Sequence, residues 1–186
     1  MPIAVMLLGL VVQALGNAGL HQQDIERRTE ALTNGQLGLE RMTREIRQAE
    51  WLYFRSSSVV DIEVGVRPSA TASATPRLVR WNCSTDVCER SEGNPTTYPP
   101  PTAPVFVKTS TEIGSPSADT GARYGLITGH DVFQPTSIDP QTGAASVNFL
   151  DPDFLIVRLR LETEGRGENL ALEDGVSLRN ETTFAG

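Results

Sequence analysis

Residues 1–52, MPIAVMLLGLVVQALGNAGLHQQDIERRTEALTNGQLGLERMTREIRQAEWL, decide how this chain is read. No charged side chain appears before Asp24. The opening stretch, Met1 to Leu20, matches the ~20 predominantly apolar residues that cross a bilayer as a helix. Then the pattern changes. Ile25, Leu32, Leu39 and Ile46 recur every seventh residue, and Met42 and Ala49 fill the alternate positions of the same stripe. The other positions carry Asp24, Glu26, Arg27, Arg28, Glu30, Glu40, Arg41, Arg44, Glu45 and Arg47. One apolar face set against charged ones predicts an amphipathic helix. The two halves together predict one rod reaching Trp51, roughly 75 Å long at the helical rise. Residues 1–23 are expected in lipid or in a partner bundle, through Ile3, Val5, Leu7, Leu8, Leu10, Val11, Val12, Leu15 and Leu20. Residues 24–186 are expected to form a globular domain in which Ile25, Leu32, Leu39, Met42 and Ile46 lie on a sheet.

The chain has 186 residues and a net charge of -7, enough for one domain with a real core. An acidic surface disfavours binding nucleic acid through bulk charge, so no nucleic-acid partner is predicted. Lys108 is the only lysine among the basic residues. A cleaved signal peptide would need a basic leading region and a small-residue site before a polar break. Residues 14–19, ALGNAG, are a weak match to such a site, and the segment is read as a retained helix. Inserted helices usually carry Lys or Arg on the cytoplasmic flank, and none precedes this one. The expectation is that the true N-terminus lies upstream of Met1.

Local signals support the helix. Glu40 and Arg44 form an i,i+4 pair in the favourable order, and Asp24 faces Arg27 and Arg28. Gly35 and Gly38 weaken the middle of the rod by ~1 kcal/mol each relative to Ala. Gly9, Gly16 and Gly19 do the same in the apolar half, or permit close helix packing there. After Trp51 the period switches to two. SVVDIEV (58–64), RLVRWNC (77–83), PVFVK (104–108) and SVNFL (146–150) read as strands. FLIVRLRLETE (154–164) is the strongest, with Leu155, Val157, Leu159 and Leu161 on one face. NLALEDGVSLRN (169–180) reads as a hairpin or edge strand turned at Asp174-Gly175. The stretches 65–76, 91–104 and 114–121 are Pro/Ser/Thr/Gly loops, and the prolines at 99–101 favour extended backbone. The predicted class is α+β, with a mostly antiparallel sheet covered by the second half of the helix.

Few residues invite chemistry. Cys83 and Cys88 flank a turn-length gap and can meet disulfide geometry; outside the cytoplasm a disulfide is the leading reading. Zinc would need further ligands, and His21 and His130 are the only histidines. His130-Asp131 lacks a nucleophile setting and reads as a polar turn. Asp139-Pro140 and Asp151-Pro152-Asp153 place carboxylates in loops without the density of a calcium-binding loop. Asn82-Cys83-Ser84 and Asn180-Glu181-Thr182 match glycosylation sequons. No phosphate loop or dinucleotide fingerprint is present. The reading is a non-enzyme with no catalytic residue, cofactor or metal.

The run MPIAVMLLGLVVQALG, followed by ERRTEALTNGQLGLERMTREIRQAEWL, resembles type IV pilin-like proteins. GLERMTREIRQA is similar to the helix end of minor pseudopilins of the J type, and VSLRN (176–180) resembles their C-terminal strand. The resemblance covers the helix well and the sheet in outline. The family's leader ending in Gly, followed by Phe-Thr-Leu-x-Glu, is not in this sequence. On that comparison the leader and about nine residues of mature helix would lie upstream of Met1. The resemblance implies a pilin-like fold and a minor structural subunit of a type IV pilus or secretion pseudopilus. It implies a single-pass membrane protein with an extracytoplasmic domain, whose partners are other pilin or pseudopilin subunits, the lipid bilayer and the assembly machinery. The rival readings are a membrane-tethered binding module using loops 91–104 and 114–121, and a secreted enzyme, for which no convergent polar site is found.

Overall fold

Among the described residues one helix leads directly into strands. The computed structural model describes residues 2–66, 75–114, 124–149, 152–163 and 169–178. Helix α1 spans Pro2–Arg47. Before Ile25 its described side chains are those of Gln13, Gly19 and Gln22. Its last turn carries Arg44 and Arg47, the sign that suits a helix C-terminus. The Gln48 N–H closes on the carbonyls of Arg44 and Glu45, and the chain enters a strand at once. The helix therefore stops short of Trp51, because Trp51, Leu52, Tyr53 and Phe54 alternate across the two faces of a strand and favour that geometry.

The first sheet contains β1 (Ala49–Ser56), β2 (Val59–Val66), β3 (Thr75–Asn82), β4 (Cys88–Gly93) and β5 (Phe106–Ile113). They form an antiparallel meander in chain order. The second sheet contains β6 (Tyr124–Leu126), β7 (Phe133–Ile138), β8 (Ala145–Val147), β9 (Phe154–Thr163) and β10 (Asn169–Ser177). Its order is β10-β9-β7-β8, with β6 also paired to β9, and every pairing is antiparallel. Leu155, Val157, Leu159 and Leu161 of β9 are fully buried, as period-two alternation requires. One apolar cluster joins them to Leu52, Phe54, Val60, Ile62 and Trp81 of the first sheet. Ala31, Leu39, Met42 and Ile46 of α1 complete it.

The pilin-like expectation is corrected. Among the described residues the chain forms two antiparallel sheets, where one was expected, and no helix is long and apolar enough to cross a membrane. From Asp24 onward the longest uncharged run of α1 is residues 31–39, far short of the ~20 apolar residues that a span needs. The membrane-embedded helix half and the single-pass localisation are corrected on the same finding. The side chains of Ile3, Val5, Leu7, Leu8, Leu10, Val11, Val12, Leu15 and Leu20 lie outside the described residues. Two local readings also change. Residues 169–177 form one unbroken edge strand, with Asp174 opposite Val157 and Gly175 opposite Ile156, so no turn occurs there. Strand β4, CERSEG, carries no apolar alternation, because its inward positions hold Arg90 and Glu92. Residues 67–74 and 115–123, Asp151 and the Asn180 sequon lie outside the described residues.

Candidate functional site

The candidate site is the helix itself: what it grips on the sheets, and what it leaves uncovered. Leu39, Met42 and Ile46 are buried, and Leu32 packs on the cluster while partly exposed. Ile25, expected in the same packing, is 66% exposed. The stripe is continuous, but its cover is not, since Ala31 is the first described side chain of α1 that is buried. The apolar seam therefore runs off the sheets toward the N-terminus. Leu37, on another flank of the helix, is 59% exposed.

Glycines bring the helix close to both sheets. A Cβ at Gly35 would stand 2.7 Å from Leu161 Cδ1 and 2.7 Å from Leu172 Cδ1, on β9 and β10. One at Gly38 would collide with the Ile113 side chain on β5. Their spacing of three residues on one face was the available signal for close approach. Asn34 donates to the Tyr124 hydroxyl at 2.9 Å, and Arg47 donates to the Gly175 carbonyl at 3.2 Å. These contacts tie α1 to the second sheet.

A polar network ties it to the first. Glu45 accepts from the Trp81 indole at 3.0 Å and from Arg90 at 2.9 Å. Arg90, buried on β4, also binds Glu92. Burial alone would pull the Arg90 guanidinium down, but hydrogen bonds and charge from Glu45, then from Glu92, raise it. The Arg90 hydrogen bond holds the Glu92 carboxyl below its usual range. Arg41 donates to Glu112 at 2.6 Å and lies 3.5 Å from Glu45. Ser110 donates to Glu112 at 2.6 Å. Each of these carboxylates thus has a donor, which suits fixing the rotation of the helix rather than attacking a substrate. A groove of about 520 Å³ lies beside the network, lined by Leu37, Arg41, Arg44 and Glu112 among others.

Cys83 and Cys88 form a disulfide. It closes the turn between β3 and β4, and Asp86 of that turn accepts from the Leu126 N–H on β6 at 2.6 Å. The turn therefore bridges the two sheets. Gly114 lies against it with φ +94°, and a Cβ there would stand 2.9 Å from the Asp86 carbonyl oxygen. The Asn82 side chain accepts from Ser84 at 2.7 Å within the same turn.

The other candidates sit in turns. Asp139 accepts from the Gln141 N–H and the Thr142 hydroxyl; the Thr142 bond, then the Gln141 bond, holds its carboxyl low. Asp153 accepts from the Ile138 N–H at 2.6 Å. Both ring nitrogens of His130 are buried, with no hydrogen-bond partner among the described residues. Among the described residues no group of three or more His, Cys, Asp or Glu side chains could hold a metal ion. No protein-family model matches the chain, and no curated protein matches it.

Proposed function

We propose that the protein is a structural subunit, assembled with other subunits by packing along its helix. Its resemblance to minor pseudopilins assigns the assembly to a pilus or secretion pseudopilus. One observation carries this reading. The seam that buries Leu39, Met42 and Ile46 continues to an Ile25 that is 66% exposed. An uncovered apolar seam on a helix is a surface for another helix. The polar network and the two close glycines support the reading, because they hold the helix in one orientation on the sheets.

Ile25→Arg tests it. The variant should melt like the parent, since Ile25 contributes little to the core. It should fail to co-purify with the assembled filament from native cells. Normal incorporation of the variant would rule out the seam as the assembly surface.

A further inference from the structure

Strand β5 ends the first sheet, and among the described residues it pairs with β4 alone. Outside that ladder, Phe106–Ile113 makes no backbone–backbone hydrogen bond among the described residues. Its other side therefore presents N–H and C=O groups to which a further strand can add. Val105, just before β5, and Val107 within it are 83% and 77% exposed, the barest large apolar side chains among the described residues.

The polar side chains of β5 are sorted by face. Ser110 and Glu112 lie on the side of α1, where Glu112 accepts from both Arg41 of the helix and Ser110. Lys108 shares that side, opposite Glu92, which binds the buried Arg90. Thr109 takes the other side, where its hydroxyl meets that of Ser91 at 2.9 Å, and Thr111 follows by alternation. Register shifts flank residues 108–111, and Lys108 is the only lysine of the chain. Bulges and an edge lysine are devices against indiscriminate strand pairing. The exposed Lys108 disfavours an added strand with a basic or apolar residue opposite, and favours one with a carboxylate there. Strand β5 carries that carboxylate itself, at Glu112.

We propose that β5 pairs antiparallel with β5 of a second copy of this chain, about a two-fold axis at Ser110. Turned on itself at Ser110, the strand sets Lys108 opposite Glu112 of the second copy, Thr109 opposite Thr111, and Val107 opposite Ile113. The axis repeats each pair, so the patch is complementary to itself. No other antiparallel register of β5 on β5 brings Lys108 and Glu112 together. An axis at Lys108 or at Glu112 would oppose like charges, which is unfavourable across strands. Arg41 binds one oxygen of Glu112 and Ser110 the other, and each oxygen keeps a further lone pair for a lysine. Glu112 also lines the groove of about 520 Å³ beside α1, so space for an incoming side chain lies next to it. The pairing does not depend on the helix seam near Ile25.

The test is register-specific cross-linking of the full chain. Cys83 and Cys88 are bonded to each other, so an introduced cysteine is the free thiol. Thr109→Cys chains carrying a tag are mixed with untagged Thr111→Cys chains and mildly oxidised. Mixed dimers should exceed the same-variant dimers by about threefold or more, because directly opposite residues lie closer than diagonal ones. Lys108→Glu in both chains should cut the mixed yield about tenfold, since it sets Glu against Glu twice. Lys108 is exposed, so this variant should melt like the parent. Lys108→Glu in one chain and Glu112→Lys in the other should restore the yield. Absence of mixed dimers, equal yields of mixed and same-variant dimers, or a yield that Lys108→Glu leaves unchanged would each overturn the proposal. So would failure of a folded Glu112→Lys chain to restore it; if that chain does not fold, the Lys108→Glu result decides.

Discussion

At the scale of single residues, Glu45 bears the most. It is the acceptor for both the Trp81 indole and the buried Arg90 guanidinium. Removing one partner of such a buried pair leaves the other charge uncompensated, at ~3–5 kcal/mol. Glu45→Ala should therefore lower unfolding stability by roughly that amount in urea titrations, and Arg44→Ala, on the exposed face, by under ~1 kcal/mol. The same network sets an acid limb. The Glu92 carboxyl is held low by Arg90, so its contribution is present above the ordinary carboxyl value and is lost as pH falls through the depressed one. Glu92→Gln should flatten the fall of melting temperature on acidification; an unchanged slope would contradict that assignment. None of this was legible in the sequence. Pairs four apart on a helix can be read directly, but Glu45 and Arg90 are 45 positions apart and meet only through the packing of α1 on β4.

At the scale of elements, the buried and bare parts of α1 make different demands. Ile46→Ala should cost ~2–5 kcal/mol as a core truncation. Gly35 and Gly38 should separate on replacement by Ala. At Gly35 the obstacles are the ends of two leucines, which can yield, so the better helix propensity of Ala, ~1 kcal/mol, should leave stability near that of the parent. At Gly38 the obstacles are Ile113 and the Glu112 carbonyl oxygen, 3.4 Å away. That variant should lose ~1–3 kcal/mol by overpacking, and equal melting temperatures for the two would contradict the packing. The second half of the helix and strand β9 were plain in the sequence, because their apolar periods are clean and each buries one face. Strand β4 was hidden because two of its inward residues are charged, Arg90 being satisfied by Glu45 of the helix and Glu92 by Arg90 and Arg77 of the sheet. The turn read at Asp174-Gly175 failed because nine continuous pairings with β9 outweigh a local turn preference.

At the scale of the whole molecule, the two sheets, the helix and the disulfide-closed turn of the described residues hold one another. The disulfide pairs the two cysteines that the sequence nominated, but its setting at the meeting of β3, β4 and β6 could not be read from spacing. Replacing both cysteines by Ser should cost ~2 kcal/mol, since the loop is short. Amide exchange should then quicken first at Leu126, which donates to Asp86. Uniform loss of protection across both sheets would show the bridge to be global instead. The central claim is that the seam uncovered at Ile25 is where other subunits dock. It is tested most directly by a photo-crosslinking residue placed at position 25 of the full chain in native cells, beside a control at Val147, which is 62% exposed on β8. The account predicts adducts with other subunits from position 25 and none from position 147. No adduct from position 25, or equal adducts from both positions, would contradict it.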